Sequence, residues 1–128
     1  MMSIGFVLLL MLFCHIVDDY YLQGILASMK QKEWWQKIAP DELYENDYLV
    51  ALAMHGFSWS FMVHLPVVIY LWFDISWLFI ISIMFHSFVH ATIDNGKANR
   101  KTINLITDQC LHMCQIVVIF GTLLMMWG

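Results

Sequence analysis

The sequence predicts an all-α integral membrane protein, a four-helix bundle with a buried His/Asp cluster. Three observations carry this expectation. Composition is the first: 61% of the 128 residues are hydrophobic and 12% charged, with a mean hydropathy of +0.69, far from the balance of a soluble domain. Second, a membrane span needs about 20 mostly apolar residues, and such stretches fit at 1–29, 47–73, 75–96 and 102–127. Third, histidine and aspartate recur inside these stretches at helical spacing. Little chain is left over, so a single domain over 1–128 is expected, without soluble appendage, low-complexity segment or repeat.

The first stretch opens "MMSIGFVLLLMLF", which lacks a basic n-region and leads into polar residues rather than a cleavage site. It is expected to be retained as helix. Its continuation, "HIVDDYYLQ", sets His15, Asp19 and Gln23 along one stripe, because residues four apart stack on a helix, with Asp18 beside them. The following "KQKEWWQKIAPDELYEND" mixes both charges, carries Trp34 and Trp35, and breaks at Pro40. It reads as an interfacial amphipathic segment with its tryptophans at headgroup level; a partner-docking surface is the alternative.

The second stretch contributes His55. Turned to the opposite face at 100° per residue, His64 is expected to make a hydrogen bond near Pro66 or at the far interface. The third repeats the histidine device in "FHSFVHATID" with His86, His90 and Asp94, and runs into the basic loop "DNGKANRK". That loop reads as a topology determinant, with an anionic-headgroup site as the alternative. The fourth inverts the order in "DQCLH", Asp108 and His112, with Asn104 and Gln115 near the same face.

All lysines and arginines fall in two loops, as Lys30, Lys32 and Lys37, then Lys97, Arg100 and Lys101. The positive-inside rule places both loops in the cytoplasm, leaving the termini and the turn at Asp74 on the far side. Measured from the cytoplasmic ends at 1.5 Å per residue, His15 lies about 21 Å deep, Asp19 about 15 Å, His55 about 12 Å, His90 and Asp108 about 10 Å, and His112 about 16 Å. Four helices thus bring polar groups to one layer in the cytoplasmic half of the bilayer.

Ionisable groups inside a span are costly and mark function. Two ligands at i and i+4 can reach one ion, and His plus Asp without cysteine suits Zn, Mn, Fe or Mg, zinc first. The first four expected ligands are His15, His90, Asp108 and His112. Asp19, His55, His86 and Asp94 exceed the needs of one ion, which points to a second metal or to carboxylates orienting the imidazoles. The plain alternative for any one pair is an interhelical hydrogen bond that fixes packing. Cys14, Cys110 and Cys114 lack metal-site spacing and read as small buried thiols; Cys110 and Cys114 are also turned away from the Asp108/His112 stripe.

These motifs resemble the Domain of Unknown Function 3307 family, small polytopic membrane proteins of bacteria and their phages. The resemblance rests on HxxxDxxxQ with a following basic residue (His15, Asp19, Gln23, Lys30), a histidine in the second span (His55), HxxxD with a downstream lysine (His90, Asp94, Lys97), and DQxxH (Asp108, Gln109, His112). It implies a phage or bacterial inner-membrane origin. The tryptophan-rich first loop is longer than in typical members.

Three functions are open at this level. One is a metal-dependent hydrolase acting on a lipid, a lipid-linked phosphate or a membrane peptide, with Asp19 or Asp94 taking the proton from metal-bound water. Another is an ion or proton conductor. The third is an interaction protein whose metal staples the bundle. The cations are split between two short loops and the net charge is −4, so nucleic acid binding is not expected. Membrane lipids are the expected surroundings, and a homo-oligomer is as compatible as a monomer.

Overall fold

The computed structural model describes residues 1–127, and every regular element among them is helical. Four helical stretches are long and apolar enough to cross a membrane: Ile4–Leu22, Glu42–Tyr70, Trp77–Arg100 and Leu105–Met126.

Helix α1 (Ile4–Ile16) begins at Ser3, whose hydroxyl accepts from the Phe6 amide at 3.3 Å and so satisfies a free N–H of the first turn. It turns Val7, Met11 and His15 inward. Over Val17–Leu22 the helix widens into a π turn, which shifts the register of its inner face. Adjacent Asp18 and Asp19 are both buried as a result.

The expected first span ran to residue 29, but this helix stops at Leu22. Gly24 adopts a left-handed φ of 50° and turns the chain. A separate short helix, α2 (Leu26–Met29), then carries Lys30 back into the interior. Helix α3 (Lys32–Ile38) and a single 3₁₀ turn (Glu42–Tyr44) complete the first loop. Trp34 and Trp35 stand edge to face there, 5.1 Å apart, and the Trp35 indole donates to the Met29 carbonyl at 2.7 Å.

Helix α4 (Asp47–Tyr70) is the hub, packed against α1 and against both following helices. Left-handed Trp72 and Phe73 reverse the chain into α5 (Trp77–Asn95). Helices α4 and α5 pass close to each other at Gly56, where a Cβ would lie 2.6 Å from the Ser87 carbonyl oxygen. A second π turn (Gly96–Arg100) and left-handed Lys101 lead into α6 (Leu105–Trp127). Asn104 caps α6 by accepting from the Thr107 amide at 2.9 Å, so it does not join the buried face expected of it.

The two basic segments lie side by side. The Asn99 amide donates to the Lys30 carbonyl at 2.9 Å, and its side-chain oxygen accepts from the Lys32 amide at 2.7 Å. Lys101 meets Glu33 at 2.7 Å and holds that carboxyl below its usual range.

The interior divides into two halves. One is apolar, built from Val7, Met11, Val63, Val67, Ile116 and Ile119 with their neighbours. The other holds histidines, aspartates and a lysine, and buried Trp59 belongs to the core while its ring meets the histidines. The outer face carries exposed Leu9, Phe13, Met54, Phe85, Phe88 and Val117. Apolar groups thus cover the outside while charged groups sit within.

Candidate metal centre

Four elements each deliver part of the polar half. The π turn after α1 presents Asp18 and Asp19, α4 presents His55, α5 presents His90 and Asp94, and α6 presents Asp108 and His112. On α5 and α6 the i, i+4 spacing read from the sequence sets each histidine on the same side as its aspartate, His90 Nε2 3.7 Å from Asp94 Oδ1 and His112 Nε2 3.4 Å from Asp108 Oδ1.

Two groups of side chains converge closely enough to hold a metal ion, Asp19/His55/His90/Asp94 and Asp19/Asp108/His112, every member buried. In the first, His55 Nε2 lies 3.2 Å from Asp19 Oδ1, 3.2 Å from His90 Nε2 and 3.4 Å from Asp94 Oδ2. His90 Nε2 is 3.8 Å from Asp19 Oδ1. Ligands about 2.0–2.1 Å from a tetrahedral zinc stand roughly 3.3 Å from one another, so these separations are of the right size. The same residues are also ion-paired among themselves, with His112 Nε2 3.3 Å from Asp94 Oδ1.

Hydrogen bonds around the cluster fix several proton positions. The Trp59 indole, which can only donate, gives its N–H to His15 Nδ1 at 2.8 Å. His15 therefore carries its proton on Nε2 and donates it to Gln109 Oε1 at 3.0 Å. That orients the Gln109 amide to donate to Asp19 Oδ2 at 3.1 Å and Asp108 Oδ2 at 3.0 Å. Both His15 nitrogens are engaged in this relay. Expected among the ligands, His15 lies outside both groups and positions the carboxylates from behind.

Gln115 acts similarly on the other side. Its amide nitrogen donates to the His86 carbonyl at 3.2 Å, so its oxygen faces His112 and accepts from Nδ1–H at 3.3 Å. The second nitrogen of His112, Nε2, is thereby aimed at the Asp94 and Asp108 carboxylates. Asp18 stands behind His55, its Oδ2 3.8 Å from His55 Nδ1, while its Oδ1 accepts from the Ser58 hydroxyl at 2.6 Å.

Two loop cations reach into the centre. The Lys30 ammonium donates to Asp94 Oδ2 at 2.6 Å and is buried; that of Lys97 donates to Asp108 Oδ2 at 2.8 Å. Beyond their place in the topology and in the motifs of the family resemblance, neither lysine was expected to contact the cluster, and the roles of Gln109 and Trp59 around it were not expected either. The position of the lysines downstream of the motif aspartates was the available signal.

Other expectations fall elsewhere. His86 leaves the cluster to meet Gln115, whose amide nitrogen is 3.3 Å from its Nδ1. His64, two residues before Pro66, stays outside the cluster as expected and is buried, donating from Nδ1 to the Ser60 carbonyl at 2.7 Å and meeting the Ser82 hydroxyl at 3.0 Å through Nε2. Gln23 turns back onto the Asp19 carbonyl. The cysteines are not buried: Cys110 and Cys114 are exposed and Cys14 half-buried. The inner face of α6 is taken by Asp108, His112, Gln115 and Ile116, which leaves positions 110 and 114 outside.

Fold and site together define an all-helical protein with four helices of membrane-crossing length and apolarity, enclosing a His/Asp cluster able to hold a metal ion. The chain matches no family model, no curated protein and no solved structure.

Proposed function

We propose that this chain is a multi-pass membrane metalloprotein that binds a divalent cation, zinc in the first instance, at Asp19, His55, His90 and Asp94, and uses it in hydrolase-like chemistry. The convergence of two imidazole nitrogens and two carboxylates at near-tetrahedral spacing carries this reading. Charge supports it. Asp18, Asp19, Asp94 and Asp108 put four carboxylates in the interior, and Lys30 and Lys97 answer two of them. A divalent ion matches the remaining two charges, and buried charge without a partner is costly.

The apolar exterior with a charged interior supports membrane insertion as a four-helix bundle. Both basic loops then face the cytoplasm with the termini opposite, and the resemblance to the Domain of Unknown Function 3307 family gives a bacterial or phage inner membrane as the setting. A bound ion would lower the pKa of its water and polarise a carbonyl or phosphoryl oxygen. Lipids, lipid-linked phosphates and membrane peptides are the substrates within reach of such a site.

A second reading, a metal that staples the helices without chemistry, is favoured by closure. Asp19, His55, His90 and Asp94 are all buried, at most 6% exposed, and a sphere filled by protein is the mark of structural zinc. Purification in mild detergent followed by elemental analysis tests the shared premise: wild type retains a transition metal and His90→Ala loses it. Hydrolysis of a lipid phosphate by the loaded protein alone supports the enzyme. A thermal transition lowered by chelation, with no hydrolysis, supports the staple.

A further inference from the structure

We infer that the Asp19/Asp108/His112 group is a second divalent-cation position that fills together with a phosphate oxyanion, making the centre dinuclear with Asp19 shared between the ions. The inference rests on the metal-binding reading above and adds to it a ligand class.

Asp19 belongs to both groups, one of four ligands in the first and one of three in the second. Three protein ligands leave a coordination place open, as catalytic metal sites do. Asp108 is fully buried, and its Oδ1 has no hydrogen-bond partner, while its other oxygen is held by Lys97 and Gln109. A buried carboxylate oxygen that lacks a hydrogen bond, with only His112 Nε2 opposite it, is suited to share a cation with that nitrogen. His112 supplies the matching half: Gln115 takes up its Nδ1–H, and its Nε2 lies 3.4 Å from that same Asp108 oxygen.

Charge then decides what accompanies the second ion. Four buried carboxylates, Lys30, Lys97 and one divalent ion sum to neutrality. A second divalent ion alone leaves two positive charges in the interior, which is unfavourable without a counter-anion. A phosphate monoester carries about that charge. Two-metal sites clamp the oxygens of such groups. Lys97 marks the approach: its side chain is 28% exposed, so it touches both Asp108 and the outside at the basic end of the molecule.

The phosphate can come from water or from a lipid headgroup, and one experiment separates the two. The protein is placed in phosphatidylcholine nanodiscs and titrated with Mn²⁺, counting bound ions and recording electron paramagnetic resonance. One arm has no addition, one has inorganic phosphate, and one has phosphatidic acid in the bilayer. The expected result is one bound Mn²⁺ in phosphatidylcholine alone and a second, spin-coupled to the first, in the arm with inorganic phosphate or with phosphatidic acid. A second ion with inorganic phosphate assigns a water-soluble source; a second ion with phosphatidic acid alone assigns the lipid. Asp108→Asn is expected to keep the first ion and lose the coupled second. One ion in every arm overturns the inference and leaves the first metal site standing. Two ions in phosphatidylcholine alone, which offers only a phosphodiester, overturn the coupling to a doubly charged phosphate, and no ion in any arm overturns both readings.

Discussion

His55 Nε2 and His90 Nε2 face each other at 3.2 Å across the junction of α4 and α5, with Asp19 Oδ1 within 3.8 Å of both. At most one proton can sit between two such nitrogens, whereas a metal ion accepts both lone pairs at once. His55→Ala and His90→Ala are each expected to weaken metal binding by more than the roughly 10–100-fold that loss of an outer partner costs. Competition against a chromophoric chelator measures this, and unchanged affinity in either variant contradicts it.

The Trp59–His15–Gln109 relay makes a contrasting prediction. His15→Ala and Gln109→Ala leave every first-site ligand in place. Affinity is expected to fall by about 10–100-fold while the number of tightly bound ions at saturation stays the same. Loss of stoichiometry in His15→Ala would make His15 a ligand after all.

Lys30 and Asp94 form a buried ion pair at 2.6 Å. Lys30→Met strands the carboxylate and is expected to lower the stability of the metal-free protein by about 3–5 kcal/mol. Asp94→Asn added to it should restore part of that loss. Unfolding in mixed detergent micelles reads both, and a neutral Lys30→Met would show that the pair carries no such load.

At Gly56 the two helices nearest the imidazole pair are in contact, and an added Cβ would lie 2.6 Å from the Ser87 oxygen and 3.1 Å from Ala91 Cβ. Gly56→Ala is expected to push α4 from α5 and cost about 1–3 kcal/mol. Because His55 is its neighbour in sequence, metal affinity should fall with it. Wild-type values for both would place the crossing elsewhere.

Cys110 and Cys114 lie on the outer face of α6. In membranes they are expected to react with an apolar maleimide and to resist a charged one, with metal content unchanged by labelling. Ready reaction with the charged reagent would argue against a lipid-facing surface.

Much of the centre was legible in the sequence because helical spacing is local. His90 and Asp94, or Asp108 and His112, share a face whatever surrounds them, and their depths along each helix could be counted. What escaped depended on tertiary contacts. The turn at Gly24 shortens the first helix and returns Lys30 to Asp94, and nothing in a hydrophobicity pattern distinguishes that lysine from a topology signal. The π turn that buries both Asp18 and Asp19 departs from the 3.6-residue period on which the stripe was drawn. His15 had the spacing expected of a ligand, but Trp59 on α4 and Gln109 on α6 take up its two nitrogens.

X-ray absorption at the metal edge of the purified, zinc-loaded protein is the measurement to make first. Binding at Asp19, His55, His90 and Asp94 predicts a shell of nitrogen and oxygen at about 2.0–2.1 Å with outer-shell scattering from two imidazoles, and no sulfur. A sulfur shell at about 2.3 Å, or zinc that washes away with no ordered shell, would contradict it.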